Sequence, residues 1–326
     1  MNQKLKDLLN KNLTCMGKTI SKIEIELFET FLESLNRVTV VYRHIGESYL
    51  KKQYRANTKN IPLLSEHLFL FGDKGKLFYE TLDQKYYNID IAEKDSKVFG
   101  FIYNKMKKVF VEKALKSSKS IDAIIAFSKS EPAFVSFWDN MTEGEWLDRI
   151  NDLDEDKKLQ IKDYYISLLH TVGLAGYGRN SYFLSTSRNA TISEIMEFQK
   201  DGIEIVGWTK ISKNGVINQG KIKRLSKVVD SLGFPVVSHA VFPEQEEITY
   251  KCGILPHFII GYLYSNNYFE INPHVLKMQD YSSACRNGLD IDQSIFYQRL
   301  SEVGYKSTYM EFDDLFIQIP DITCQY

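Results

Sequence analysis

A run of acidic and amide side chains stands directly before a β-branched segment in FPEQEEITYKCG, from Phe242 to Gly253. Carboxylates this close repel one another, and glutamate is a poor strand former, so strand formation alone does not explain the run. A carboxylate at the mouth of a strand can stabilise a positive charge that develops during a reaction. The simpler interpretation is a solvated turn whose charges keep the strand from aggregating.

Two other stretches carry side chains suited to binding a small ligand. VVYRHIG places Tyr42 and Arg43 after a β-branched run, and an arginine offers a planar fork of donors to phosphate or ribose oxygens. FLSTSRN ends an apolar approach in three hydroxyls, and a serine hydroxyl can donate and accept at once. Each stretch alone is typical of a solvated strand end, a turn or a helix cap.

In their order and form, the three stretches resemble the Arg…Ser-Thr-Ser…Gln/Glu-x-Glu class of mono-ADP-ribosyltransferases, toxin-like enzymes that cleave NAD. In that family an aromatic-Arg pair closes the first core strand, and Ser-Thr-Ser ends the second. A turn with an aromatic residue, Gln or Glu, any residue and the catalytic Glu opens the third. The resemblance directly covers these stretches, and by their order it implies residues 20–46 and 173–265.

The register of the third stretch selects one glutamate. If Glu247 is catalytic, Gln245 stands two positions before it and Phe242 three before the glutamine, as in the family pattern. The rival frame, Glu244-x-Glu246, is followed by another charge and misplaces the following glycine. Alternation along a strand also sends Gln245 and Glu247 to the same face. We therefore favour Glu247.

The resemblance implies a catalytic role for Glu247, Gln245 and Ser185. Glu247 would hold a ribose hydroxyl and face the charge that develops when the nicotinamide–ribose bond breaks, as in glycoside cleavage. Ser185 would orient Glu247 or the nicotinamide pocket. Gln245, with Phe242 in the same turn, would position the acceptor's amide or base edge, but an amide cannot deprotonate it.

The same resemblance implies NAD as co-substrate, with no metal. Arg43 would bind its phosphate or its adenosine-side ribose. Arg179, in the loop that enters the hydroxyl strand, competes with Arg43 for this role. The implied cofactor-binding residues are Tyr42, Arg43, Ser185, Thr186 and Ser187.

Composition gives no sign of a membrane or of a metal. The 41 basic and 42 acidic residues nearly cancel, so no global field attracts nucleic acid or lipid. No apolar run approaches the ~18 residues that a membrane span needs, and the N-terminus lacks the apolar core of a secretory signal. The four cysteines lie far apart, without metal-binding spacing, and we expect reduced thiols in a cytoplasmic protein.

The elements that must position these groups follow from local patterns. Ser21 to Glu24 is a capping box that opens a helix, and Arg37 to His44 is a predicted strand followed by a turn at Gly46. LFLFGDKGKLFYETL, residues 68–82, is a hairpin candidate. From Gly173 onward the chain is rich in strand patterns, at SYFLSTS, GIEIVGWTKI, GFPVVSHAVF, EITYKC and HFIIGYLY.

The sequence pattern of residues 47–172 predicts mostly helices. An amphipathic order predicts a helix over Phe101 to Ser118, and Asp154 is the predicted cap of another helix. This region makes the gap between Arg43 and Ser185 longer than is usual in the family, and we assign the excess to a helical insertion.

We therefore predict an α+β fold, namely an ADP-ribosyltransferase-like split β-sandwich core with a helical insertion. Residues 1–326 would form a single domain, in which about 47–172 contain the mostly helical region and about 266–326 a C-terminal extension.

The expected function is that of a mono-ADP-ribosyltransferase acting as an intracellular toxin of a bacterial toxin–antitoxin or phage-defence system, with an inhibitory antitoxin protein as partner. Gln245 resembles the branch that modifies asparagine side chains or guanine bases. The basic cluster GKIKRLSK, Gly220 to Lys227, could guide phosphates, so we favour a base of RNA or DNA as the acceptor. Lysines of the predicted helical region add to this basic character, at Lys105, Lys107, Lys108, Lys113, Lys116 and Lys119.

Three alternatives remain open at this point. The acceptor could be a protein side chain. The chain could be a non-catalytic nucleic-acid-binding or partner-binding protein with the same fold. It could also be a hydrolase that uses Glu244 and Glu247 as paired carboxylates without NAD.

Overall fold

A computed structural model describes most of the chain up to residue 276. The residues it describes are 3–54, 56–73, 96–113, 131–172, 183–189, 201–209, 216–239, 246–251, 254, 258–265 and 267–276. The chain divides into two compact units. The first unit comprises Met1–Gln84, Leu184–Val216 and Glu244–Tyr326, and the second comprises Lys85–Phe183 and Ile217–Pro243. The single domain predicted for residues 1–326 stays a prediction.

The described residues include a nine-stranded mixed sheet. Its strands are β1 (Asn12–Cys15), β2 (Lys18–Thr19), β3 (Thr39–Gly46), β4 (Phe183–Ser187), β5 (Gly202–Thr209), β6 (Val216–Ile217), β7 (Glu247–Lys251), β8 (Ile259–Tyr264) and β9 (Tyr268–Ile271). Their order across the sheet is β2-β1-β9-β8-β5-β3-β4-β7-β6. β1 and β9 run parallel, whereas β5 pairs antiparallel with both β3 and β8. With the helices below, this sheet confirms the α+β class.

Ten α-helices lie in the described part of the chain. The first unit contains α1 (Gln3–Leu9), α2 (Lys22–Ser34), α3 (Glu47–Tyr54), α4 (Ile61–Phe71) and α10 (Pro273–Leu276). The second unit contains α5 (Ser96–Met106), α6 (Pro132–Asn140), α7 (Glu143–Asn151), α8 (Glu155–Val172) and α9 (Gln219–Ser231). None of the described helices is both long enough and apolar enough to cross a membrane.

Local sequence signals set the bounds of several elements as predicted. The backbone N–H of Glu24 donates to the Ser21 hydroxyl at 3.3 Å, and the Glu24 carboxylate accepts from the Ser21 N–H at 2.7 Å, which confirms the capping box of α2. Asp154 accepts from the N–H of Lys157 at 2.9 Å and so caps α8. The predicted strands at SYFLSTS, GIEIVGWTKI, EITYKC and HFIIGYLY are confirmed as β4, β5, β7 and β8.

Two other boundaries differ from the prediction. Gly46 ends β3 instead of forming a turn, because its backbone pairs opposite Gly202 of β5. The predicted helix from Phe101 begins earlier, with α5, and continues through a π-helical segment, Lys107–Lys113. Residues 114–118 lie outside the described residues. The predicted C-terminal extension, about residues 266–326, stays a prediction, and its described residues include β9 and α10.

The hairpin predicted over residues 68–82 is wrong in its first arm, which belongs to α4. Asn60 caps this helix by accepting from the N–H of Leu63 at 3.3 Å, and Leu64 and Leu68 are fully buried. The N–H of Gly72 donates to the carbonyl of Leu68 at 2.9 Å and closes the last turn. A short apolar run has no period that separates a buried strand from a buried helix, and here the cap decided. The second arm lies outside the described residues.

The strand predicted at GFPVVSHAVF is also wrong over Gly233 to His239, which is irregular. Side chains of α8 take the backbone bonds that a strand would have used. The Tyr164 hydroxyl donates to the carbonyl of Val237 at 3.0 Å and accepts from its N–H at 2.8 Å. The Tyr165 hydroxyl donates to the carbonyl of Pro235 at 2.8 Å. A proline inside the run removes one ladder donor, which weakens a strand further.

The core of the first unit contains a buried carboxylate as well as apolar side chains. Glu270 on β9 is completely buried and accepts from the Thr14 hydroxyl at 2.6 Å, the Gly17 N–H at 2.9 Å and the Ser65 hydroxyl at 3.0 Å. These donors lie on β1, on the turn after it and on α4. A buried charge is tolerated only when its oxygens are hydrogen-bonded, so this set of bonds ties α4 to the sheet.

The core of the second unit is aromatic. Trp138 of α6 and Trp146 of α7 have ring centroids 5.0 Å apart, and Tyr165 of α8 lies 5.2 Å from Trp138. Large rings bury much apolar surface, and edge-to-face pairs add to that stabilisation. The side chains of three helices thus meet in one cluster.

Because of His239, we expect the free energy of unfolding to depend on pH. Burial lowers the pKa of His239 to about 4, and its ring lies 3.1 Å from the Ser167 hydroxyl. Because the lowered pKa means that the unfolded chain binds the proton more tightly, the stabilisation is complete above about pH 6.5 and is lost as the pH falls towards 4. We expect a loss of up to about 3 kcal/mol over this window. Urea unfolding followed by tryptophan fluorescence measures it.

His239→Gln cannot bind the proton, so its unfolding free energy should fall less steeply than that of the wild type between pH 6.5 and 4. Equal slopes for the two proteins would contradict the assignment to His239.

Candidate active site

The three stretches that the sequence singles out lie on consecutive strands of the sheet, β3, β4 and β7, all in the first unit apart from the first residue of β4. Tyr42 on β3 pairs with Ser187 on β4. Neighbouring strands lie about 4.8 Å apart, so β3 and β7 flank β4 with roughly 10 Å between their backbones. Arg43, Ser185 and Glu247 thus lie on three neighbouring strands although they are distant in the chain.

Arg43 is held by two strong contacts. Its Nε donates to Oδ2 of Asp73 at 2.6 Å, and its Nη1 donates to the backbone carbonyl of Ser185 at 3.0 Å. The Arg43 side chain keeps 19% of its surface exposed, whereas that of Asp73 is 0% exposed. In this bond Arg43 contacts the backbone carbonyl of Ser185 and not its hydroxyl. The bond therefore links β3 to β4 and does not depend on the orientation of the hydroxyl.

Asp73 and Tyr49 are site residues that the sequence analysis missed. Burial raises the pKa of Tyr49 above its usual value, the charge of Asp73 raises it further, and the charge of Arg43 opposes the rise. Neither residue stands in a motif or at a spacing that marks it as functional. Asp73 stands in what the pattern predicts as a hairpin turn, where an aspartate is ordinary.

The Ser-Thr-Ser segment joins β4 to the start of β7. The Thr186 hydroxyl is buried and donates to the carbonyl of Ile248 at 2.5 Å. The N–H of Arg188 donates to the carbonyl of Glu246 at 3.3 Å. Ser187 is also buried, and its hydroxyl accepts from the N–H of Asn189 at 2.9 Å, as in a local serine turn. Thr186 and Ser187 thus hold the backbone around the site.

Glu247 is the first residue of β7 and is only 5% exposed. Its Oε1 accepts from the Thr249 hydroxyl at 3.2 Å, as expected for residues on the same face of a strand. Its neighbour Glu246 is exposed and has a φ of 49°, in the left-handed region. The turn therefore ends at Glu246, and burial distinguishes these two adjacent carboxylates.

Tyr42 and Arg43 lie on opposite faces of the sheet, because they are neighbours in a strand paired with β5 along its whole length. The Tyr42 ring is buried, with Nζ of Lys4 5.6 Å from its centroid. Burial raises the pKa of Tyr42 to about 12, with Glu204 and Asp7 adding to the rise. A ligand on the Arg43 face would meet the backbone of Tyr42 but not its ring. Since Tyr42 pairs opposite Ser187, the side chains of Ser187 and Ser185 stand on the Tyr42 face as well, and that of Thr186 stands on the Arg43 face.

Several predicted site residues lie outside the described residues. These are Phe242, Glu244, Gln245 and Arg179. The described site therefore consists of a partly exposed guanidinium on one strand, hydroxyls on the next and a buried carboxylate on the third. Such an arrangement can bind an anion at the arginine and stabilise a developing cation at the glutamate.

We compared the chain with protein-family models, with curated proteins and with solved structures, and none of the three comparisons found a match.

Thr186→Val tests the link between β4 and β7. The change keeps the shape of the side chain but removes the hydrogen bond to Ile248, and losing a buried bond of this kind costs about 1 to 2 kcal/mol. We expect the free energy of unfolding, measured in urea, to fall by that amount. Thr30→Val removes an exposed bond to the Glu26 carbonyl on α2 and serves as the control. Equal losses for both variants would contradict the role given to Thr186.

Proposed function

We propose that the chain is an NAD-dependent mono-ADP-ribosyltransferase. The observation that carries the proposal is the juxtaposition of Arg43, Ser185 and Glu247 on consecutive strands, with Arg43 hydrogen-bonded to the Ser185 carbonyl. The resemblance selected these residues from motifs far apart in the chain. Their separation in the sequence does not by itself require the three stretches to fall on neighbouring strands.

We extend the proposal to the fold, as an ADP-ribosyltransferase-like split β-sandwich core with a helical insertion. The neighbouring strands β3, β4 and β7 support it, because they correspond to the three core strands on which the family carries its motifs. The helices α5 to α8 support it as well, since they occupy the long gap between β3 and β4.

In the proposed reaction, the bond between the nicotinamide nitrogen and C1′ of the ribose breaks. The bonding electron pair leaves with the nicotinamide, which becomes neutral, and the ribose acquires oxocarbenium character. The Glu247 carboxylate stabilises that positive charge, and its burial strengthens the interaction because the local dielectric constant is low. The acceptor's nucleophilic atom then bonds to C1′ and releases its proton to solvent.

Arg43 binds the cofactor in this proposal. Its guanidinium has five N–H donors, and the bonds to Asp73 and Ser185 hold it by two of its nitrogens. Its exposed edge suits a pyrophosphate oxygen or the adenosine-side ribose. Gln245 would position the acceptor, a role that rests on the chemistry of its amide.

For the acceptor we favour a base of RNA or DNA, which fits a cytoplasmic toxin with an inhibitory partner protein. The basic cluster from Gly220 to Lys227 lies on α9, and Lys223, Arg224 and Lys227 are exposed on it. Exposed cations of this kind attract phosphates. A protein side chain is the alternative acceptor.

Nicotinamide release by Glu247→Gln, beside Glu246→Gln, tests the activity. The neutral amide at 247 cannot offset the oxocarbenium charge, so we expect the rate to fall about 100-fold or more. Glu246→Gln makes the same chemical change on the adjacent, exposed side chain and should retain nearly all activity.

The other outcomes separate the rival functions. A wild-type protein that releases no nicotinamide, with or without cell lysate, would favour a non-catalytic binding protein. A hydrolytic activity that needs no NAD and survives Arg43→Ala would favour a carboxylate hydrolase.

The acceptor is tested by incubating the protein with cell lysate and NAD labelled in its ADP-ribose part. We expect the label in RNA or DNA, sensitive to nuclease and resistant to protease, because exposed cations draw polyanions to the protein. Glu247→Gln is the control and should leave both fractions unlabelled. Label confined to protein would reject the nucleic-acid acceptor while keeping the transferase.

A further inference from the structure

We infer that Asp73 is a positioning residue that sets the orientation of the Arg43 guanidinium for the pyrophosphate of a dinucleotide. The inference rests on the proposed function and adds to it a residue that carries no family motif. Asp73 acts through Arg43, and it need not touch the ligand itself.

The contact itself is strong and directional. The Asp73 carboxylate is completely buried, and its Oδ2 accepts from Nε of Arg43 at 2.6 Å. Hydrogen bonds between two ionised groups are short and about twice as strong as neutral ones. Removing one partner of a buried pair leaves an uncompensated charge, so each side chain holds the other in place.

The backbone around Asp73 keeps the carboxylate from moving. Gly72, with a φ of 77°, ends α4 in a conformation that favours glycine. The N–H of Asp73 then donates to the carbonyl of Ile254 at 2.9 Å, and the N–H of Ile254 donates back at 3.0 Å. Asp73 is thus anchored on both sides, by a helix end and by a β-bridge.

Two hydrogen bonds hold the plane of the Arg43 guanidinium. Asp73 holds Nε of Arg43, and the Ser185 carbonyl holds Nη1, so the guanidinium cannot rotate about its long flexible stem. An arginine oriented before the ligand arrives loses less freedom on binding, which raises affinity without any new contact.

The charge of Asp73 also bears on selectivity. The pair is close to neutral as a whole, so it attracts a general anion less than a lone arginine would. The N–H donors of the oriented Arg43 guanidinium instead match the geometry of phosphoryl oxygens. The site would therefore recognise the pyrophosphate by its shape and position rather than by bulk charge.

The test compares the KM for NAD and the kcat of nicotinamide release in the wild type and in Asp73→Asn. The amide has the size of the carboxylate but lacks its charge, so the orientation of Arg43 weakens. We expect the KM to rise about tenfold with kcat nearly unchanged. This pattern is expected when the variant loses an interaction that is equally strong in the ground state and in the transition state.

Asp163→Asn is the matched control. It makes the same change on another buried aspartate with a basic partner, on α8 of the second unit, where Oδ2 of Asp163 lies 3.7 Å from Nζ of Lys221. A purely structural effect lowers the fraction of folded protein and leaves the KM as it is, so this control should keep the wild-type KM. An equal rise of KM in both variants would overturn the inference.

A double-variant cycle shows whether Asp73 acts through Arg43. In an Arg43→Ala background, Asp73→Asn should raise the KM no further, since the group it orients is gone. A further rise of similar size would overturn the positioning role. If Asp73→Asn does not fold, Asp73→Glu decides instead, because it keeps the charge but displaces the carboxylate. A raised KM then supports the inference, and an unchanged KM overturns it.

Failure of the inference is distinguishable from failure of the proposed function. If the wild type neither binds nor cleaves NAD, the proposed function fails and the inference with it. If the wild type cleaves NAD and Asp73→Asn keeps its KM, the inference alone fails.

Discussion

A carboxylate removed from water must be hydrogen-bonded or paired with a positive charge, and the completely buried side chain of Asp73 meets this demand with Arg43. This requirement links parts of the first unit that are remote in the chain. Asp73 stands at the end of α4, Arg43 lies on β3, and Arg43 bonds in turn to the Ser185 carbonyl on β4. The arrangement of the candidate site follows from this chain of contacts.

The two units are stabilised by different means. In the first unit, the buried carboxylate of Glu270 draws donors from a strand, a turn and a helix, and such a network tolerates few alternative arrangements. In the second unit, Trp138, Trp146 and Tyr165 pack by shape and ring geometry. The described part of the candidate site belongs to the unit with the polar network, where directional bonds hold side chains in defined orientations.

Local patterns predicted the elements wherever the signal was itself local. The capping box at Ser21 specified where α2 begins, and alternating β-branched residues indicated β3 and β5. The same reasoning failed where a neighbour supplied the decisive bond. Leu68 and its apolar neighbours suit a strand or a helix equally, and the cap at Asn60 decided for the helix. The run at Val237 could have entered a sheet, but the Tyr164 hydroxyl takes its backbone groups.

By itself, the sequence determined the α+β class, most strands and the three stretches that carry the candidate chemistry, because residue type and spacing along the chain are local properties. Tertiary structure alone decided that β3, β4 and β7 are neighbours and that Arg43 faces Asp73. The physical reason is that strand order and the partner of a buried charge depend on residues far away in the chain. Pairing between such residues leaves no periodic trace in either segment.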